Sequence, residues 1–212
     1  MTDAFLEQLT QQRLLPVIRT ESPDLAHWAA TVLIEQGVQV LEITDTVPKS
    51  NQVIATLKQQ FPQVTIGAGT VLSVDAAQRL HEAGAQFLVS PVTNPAVVTY
   101  GNQHALPVIP GALTPTEVMT AHQLGAPVVK VFPIQQLGGA EYLKTLTTLM
   151  PAIPLIPTGG VSPETVAPLL AAGALALGLG QHLFPQDALT NRDPQPILKR
   201  WQAYQAALPP SV

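Results

Sequence analysis

The chain has 212 residues, a formal net charge of −4, 46% hydrophobic and 11% charged residues, and no cysteine. That length suits one ordinary domain, which buries about 70% of its unfolded surface without help from disulfides or a structural metal. The missing cysteine excludes disulfides, thiolate metal sites and cysteine nucleophiles, and the scarce, unclustered positive charge excludes the electrostatic footprint of a nucleic-acid partner.

The N-terminal segment Met1–Gln8 carries an early acid and no apolar core before a cleavage site, so it does not read as a signal peptide. The longest apolar stretch, Val166–Gly180, falls short of the ~20 residues of a membrane helix and is split by Gly173. A cytoplasmic protein with no membrane partner is expected.

Short runs of Val, Ile and Leu then recur at Leu15–Arg19, Val38–Thr44, Val64–Gly69, Gln86–Ser90, Leu106–Pro110, Pro127–Phe132, Ile153–Thr158 and Ala174–Gly180. They start 20 to 26 residues apart, the length of a strand, a helix and two loops. Between them lie helical patterns. Ser22-Pro23, Ser73, Thr114-Pro115 and Ser162-Pro163 supply capping hydroxyls, and Gly37, Gly84, Gly125 and Gly173 stand where a helix should stop. Eight such units predict an α/β fold, a single-domain (β/α)8 TIM barrel over about residues 15–184. An open doubly wound sheet is the structural alternative. Residues 185–212 are Pro- and Gln-rich, with one helix expected near Pro196–Ala207 and a frayed Pro209-Pro210 end.

Two runs carry charge where alternation points inward. In Val40-Leu41-Glu42-Ile43-Thr44, the residues Leu41 and Ile43 face the helices, so Glu42 and Thr44 face the barrel interior. In Val128-Val129-Lys130-Val131-Phe132, Lys130 is the only charge and shares a face with Val128 and Phe132. The second and sixth strands lie opposite each other in a ring of eight and feed the same interior layer. A buried structural ion pair is one reading, but desolvation costs several kcal/mol per ion and often outweighs the attraction. Chemistry is the other. A desolvated lysine loses its proton more easily and attacks a ketone to form a Schiff base, while a nearby carboxylate moves protons.

A phosphate signal sits at two strand ends. Thr158-Gly159-Gly160 precedes a helix opened by Ser162-Pro163, and Gly178-Leu179-Gly180-Gln181 is followed by His182. Glycines there let backbone N–H groups approach an anion, and the loops after strands 7 and 8 are the usual phosphate site of this fold. Arg19, at the end of the first strand, is either a solvated rim charge or a bidentate clamp for a carboxylate. Asp45 reads as a loop residue. His27, His81, His104 and His122 fall in expected helices, and no histidine pair has metal-site spacing. Gly67-Ala68-Gly69-Thr70 lacks the third glycine and the acidic partner of a dinucleotide site.

Leu41-Glu42-Ile43-Thr44, Gly67-Ala68-Gly69-Thr70-Val71-Leu72, Ser90-Pro91, Pro110-Gly111, Val129-Lys130-Val131-Phe132-Pro133 and Pro157-Thr158-Gly159-Gly160-Val161 fall in an order and spacing that resembles the class I 2-keto-3-deoxy-6-phosphogluconate (KDPG) aldolases. Many of that family also act on 4-hydroxy-2-oxoglutarate (KHG). The resemblance spans about Leu15–Phe184. It implies that Lys130 forms a Schiff base and Glu42 moves protons. It places Thr70, Pro91, Phe132 and Thr158 around pyruvate, and Gly159, Gly160 and Gly180 around a phosphate; Thr44, inward-facing by alternation, and Gln181 are further candidate substrate-binding residues. It implies a homotrimer acting on a small pyruvate-derived aldol, with neither metal nor cofactor beyond the covalent adduct on Lys130. Two positions depart from the pattern. Thr46 stands where many members carry a carboxylate-binding arginine, which leaves Arg19 as the relocated clamp, and Gln181 replaces the usual serine of the phosphate loop. Aldols of 4-hydroxy-2-oxoglutarate or phosphogalactonate type are alternative substrates. A non-catalytic sugar-phosphate-binding barrel is the alternative outside enzymes.

Overall fold

The computed structural model describes residues 2–210. Nine parallel strand segments form eight staves: β1 (Leu14–Ile18), β2 (Val40–Thr44), β3 (Thr65–Gly69), β4 (Leu88–Val89), β5 (Val108–Ile109) with β6 (Gly111–Ala112), β7 (Val129–Val131), β8 (Leu155–Pro157) and β9 (Leu177–Leu179). The expected run Leu106–Pro110 becomes a stave broken at Pro110, which has no N–H to give a ladder. One sheet runs β5-β4-β3-β2-β1-β9 and the other β6-β7-β8. The broken stave joins them on one side. On the other, a parallel bridge between Thr158 and Gly178 and the bond from Leu175 N–H to the Leu155 carbonyl close the ring. The protein is a (β/α)8 barrel, not an open sheet.

Helices alternate with the staves: α2 (Pro23–Ile34), α3 (Ser50–Gln60), α4 (Val74–Glu82), α5 (Pro95–Gln103), α6 (Pro115–Gln123), α7 (Ala140–Leu149) and α8 (Pro163–Ala171). Ser22, Ser73 and Thr114 accept from the backbone of the first helical turn as their positions predict. Gly37, Gly84, Gly125 and Gly173 all take positive φ, between 87° and 98°, at the ends of α2, α4, α6 and α8. Leu41, Ile43, Ile66, Val129, Val131 and Leu155 pack outward in the helix layer, while Leu15, Val40, Phe87, Val89, Val128 and Ile156 fill the barrel interior.

Three features go beyond the sequence-based expectations. The first helix, α1 (Thr2–Gln12), closes the bottom of the barrel by inserting Phe5 and Leu9 into the interior cluster, with Phe5 stacked on Phe87 at 4.7 Å. At its end the Gln12 amide bonds the backbone of both β1 and β2, donating to the Leu14 carbonyl at 2.5 Å and to the Val40 carbonyl at 2.7 Å, and accepting from Val40 N–H at 2.9 Å. The C-terminal segment holds two helices rather than one, α9 (Gln186–Asn191) and α10 (Pro194–Ala206). Beyond α10 the chain has no regular structure at Pro209-Pro210, though the Pro209 carbonyl is tied to the Arg13 guanidinium at 2.9 Å; the rest of the expected frayed end lies outside the described residues.

Candidate active site

Glu42 and Lys130 both point into the barrel, at 1% and 8% exposure. Glu42 fits because β3 yields to it. A Cβ on Gly69 would lie 1.6 Å from Glu42 Oε1, and one on Gly67 would lie 2.3 Å from the Phe87 ring. Lys130 pairs in register with Gly111 on one side and Ile156 on the other, and its Nζ lies 5.0 Å from the centre of the Phe132 ring. The two charges are not bonded to each other. Neither Glu42 oxygen has a hydrogen-bond partner, and the one ion pair within 4.0 Å among the described residues is Arg79–Asp45, at 2.8 Å. This is not the geometry of a structural salt bridge.

Burial dominates both groups. Desolvation lowers the Lys130 amine below the ordinary lysine range, opposed by the charge of Glu42 and aided by that of Arg19. Desolvation raises the Glu42 carboxyl, against the pull of Lys130 and then Arg19. An amine that gives up its proton more easily than usual therefore faces a carboxyl that keeps its proton more firmly than usual.

At the mouth, Arg19 follows β1 and donates from Nη2 to Thr70 Oγ1 at 3.2 Å. Thr70 takes φ +60°, a conformation that costs a β-branched residue about 1–3 kcal/mol and that clusters at functional sites. Thr44 is buried beside Glu42 and shares a 2.8 Å hydrogen bond with Thr46, the position where an arginine was absent. Pro91 and Phe132 line a cavity of about 350 Å³ with Thr93, Gly111, Leu113 and Glu117. Thr158 is buried at the end of β8, against Gly178, where a Cβ would lie 2.2 Å from its Oγ1.

The two glycine loops lie side by side after β8 and β9. Gly159 and Gly160 take φ +95° and +80°. Among the described residues, the N–H groups of Gly160 and Val161, and those of Gly180, Gln181 and His182, donate to no other group of the chain, while Gly159 follows Thr158 in the bridge to Gly178. The next N–H in each run is used internally, Ser162 to Thr165 Oγ1 and Leu183 to the Gly180 carbonyl. Five free donors beside the N-terminus of α8 form a cradle of the kind that can take an anion. The Gln181 side chain is exposed. All the residues singled out in the sequence thus lie at one end of the barrel or in its upper interior.

His27, His81 and His122 lie on α2, α4 and α6, and His104 ends α5. Among the described residues, no three His, Asp or Glu gather as a metal site. Asp45 is more than a loop residue: it accepts from Ser50 at 2.6 Å and from Arg79, pinning the segment that leaves Thr44. Its partner Arg79 is distant in sequence, so pattern alone gave no sign of the contact.

The family model for KDPG and KHG aldolases matches residues 6–200. The chain belongs to the KDPG and KHG aldolase family. It is 35% identical over 189 residues to a 2-dehydro-3-deoxy-phosphogluconate aldolase of Treponema pallidum, covering 89% of this chain and 90% of that one. It is 32% identical over 203 residues to a 2-dehydro-3-deoxy-6-phosphogalactonate aldolase of Escherichia coli, covering 94% and 98%. Among solved structures, the KDPG aldolase of Legionella pneumophila, captured with pyruvate as a covalent carbinolamine, matches at a TM-score of 0.83 and 28% identity over 91% of this chain and 93% of that one. No helix of the described residues is long and apolar enough to cross a membrane.

Proposed function

We propose that this protein is a Schiff-base aldolase that cleaves 2-keto-3-deoxy-6-phosphogluconate to pyruvate and glyceraldehyde 3-phosphate. The observation that carries the proposal is the buried, unbonded pair: an amine lowered by burial facing a carboxyl raised by burial. Lys130 Nζ adds to the C2 ketone to give a carbinolamine, and loss of water leaves an iminium ion. Glu42 as carboxylate takes the proton of the C4 hydroxyl. The C3–C4 electron pair then flows into the iminium, giving an enamine on Lys130 and a free aldehyde. A proton returns to C3, and water hydrolyses the iminium to pyruvate and the free amine.

Arg19, braced by Thr70, holds the C1 carboxylate beside the lysine, and Thr44, Pro91, Phe132 and Thr158 shape the pyruvate half. The glycine loops, with Gly159, Gly160, Gly180 and the Gln181 backbone, hold the distal phosphate. Exposed Leu72, Val92, Leu113 and Phe132 stand on four successive loops of the same barrel end. That apolar rim supports assembly into a homotrimer through this end.

The substrate is read by the release of pyruvate. The phosphorylated aldol is expected to exceed 4-hydroxy-2-oxoglutarate in kcat/KM by at least about tenfold, because each hydrogen bond to a charged group contributes about 1.5–3 kcal/mol. Equal or reversed preference moves the assignment to the unphosphorylated aldol. No pyruvate from either substrate, or from the phosphogalactonate epimer, leaves a binding barrel without catalysis.

A further inference from the structure

The C-terminal helix α10 adds nothing to the barrel wall, yet it touches both anion loops from behind. Ile197, Trp201 and Tyr204 seat it in the core. The Tyr204 hydroxyl donates to the Val161 carbonyl at 2.8 Å, and the Arg200 guanidinium donates to the His182 carbonyl. These two acceptors are not arbitrary. Val161 ends the first run of free N–H groups and His182 ends the second. Tyr204 and Arg200 are four residues apart and so share one helix face. One rigid face thus grips the last residue of each half of the cradle.

We propose that α10 is a clamp that sets the spacing of the two phosphate-binding loops, with Tyr204 and Arg200 as positioning residues for the distal phosphate. The inference rests on the assignment of the glycine loops to phosphate. Backbone donors bind an anion well only when their directions converge, and a held Val161 or His182 carbonyl fixes the peptide plane shared with Ser162 or Leu183, which anchors the Cα where each run of donors ends. Both loops need this support. Gly159 and Gly160 carry no side chain to brace their turn, and a Cβ on Gly180 would meet nothing within 4 Å. Tyr204 suits the task because it is fully buried, and burial pushes its phenol up to about 12, so the hydroxyl remains a donor throughout the working pH range. Neither side chain needs to touch substrate.

The test is a split between substrates. Tyr204→Phe and Arg200→Met are expected to raise KM for the phosphorylated aldol by about tenfold, the scale of one lost hydrogen bond near a charged ligand. They are also expected to weaken inhibition by inorganic phosphate to a similar degree. Borohydride trapping of pyruvate, and kcat and KM for 4-hydroxy-2-oxoglutarate, stay within twofold of the parent, by the same rough scale. Arg200→Lys restores most of the loss, since it keeps a cationic donor. Arg200 is exposed, so its variants remain informative if Tyr204→Phe folds poorly. Unchanged KM for the phosphorylated aldol, or equal loss on both substrates, overturns the clamp. If the parent enzyme itself shows neither a preference for the phosphorylated aldol nor inhibition by phosphate, the phosphate assignment fails and the clamp with it.

Discussion

Lys130 is an amine kept where a cation is poorly solvated, and two neighbours pull its proton equilibrium in opposite directions. The Glu42 charge favours the ammonium and the Arg19 charge disfavours it. Since only the free amine attacks a ketone, the rate of pyruvate trapping should rise with pH and reach half its maximum below the ordinary lysine value of about 10.4. The signs for the neighbours follow. Glu42→Gln removes the group that holds the proton on, so the midpoint moves down in pH; Arg19→Met removes the group that drives it off, so the midpoint moves up. Trapping rates across a pH series read both shifts, and movement of the two midpoints in the same direction would contradict the electrostatic account. This part of the site was legible in sequence. A single lysine in a Val run and a single glutamate between Leu and Ile break the alternation so sharply that burial and facing follow from period alone. The +60° backbone of Thr70 was not legible, because nothing in Gly-Thr-Val demands it and its side-chain partner, Arg19, stands 51 positions away.

Among the elements, β3 does the least visible and most specific work. Gly67 and Gly69 resemble a nucleotide-binding turn in one dimension, yet in the sheet they are clearances for Phe87 and Glu42. That role depends on which residues face them across the interior, which no local pattern encodes. Gly69→Ala should force the Glu42 carboxyl out of place. We expect a stability loss of about 1–3 kcal/mol from overpacking, seen as a melting temperature lower by several degrees. We also expect kcat for aldol cleavage to fall by roughly 10²-fold, the scale of a displaced general base, while pyruvate still forms its adduct with Lys130. Full cleavage activity in Gly69→Ala would show that Glu42 does not need its observed position. Helix α1 was missed for a related reason. Phe5 and Leu9 share a helical face, but the surface they bury against exists only once the barrel has closed.

At the scale of the whole molecule, closure follows from repetition. Four glycine stops and four start signals, spaced by two β/α units, mark every second repeat, and eight staves then bring Glu42 and Lys130 to opposite walls. The repeat also places the two glycine loops next to each other, because the seventh and eighth staves are neighbours. What repetition does not specify is what lies outside the repeat: the plug beneath the barrel and the helix α10 behind the anion cradle. Both are held by contacts far apart in sequence, Phe5 to Phe87 and Tyr204 to Val161. The central claim is that one lysine, at the middle of the sixth stave, carries the chemistry. It is tested most directly by sodium borohydride reduction with pyruvate, followed by intact and peptide mass spectrometry. The account predicts one reduced pyruvate adduct per chain, on the peptide containing Lys130 and on none containing Lys49, Lys58, Lys144 or Lys199. Folded protein that gives no adduct at millimolar pyruvate, or an adduct on another lysine, would contradict it.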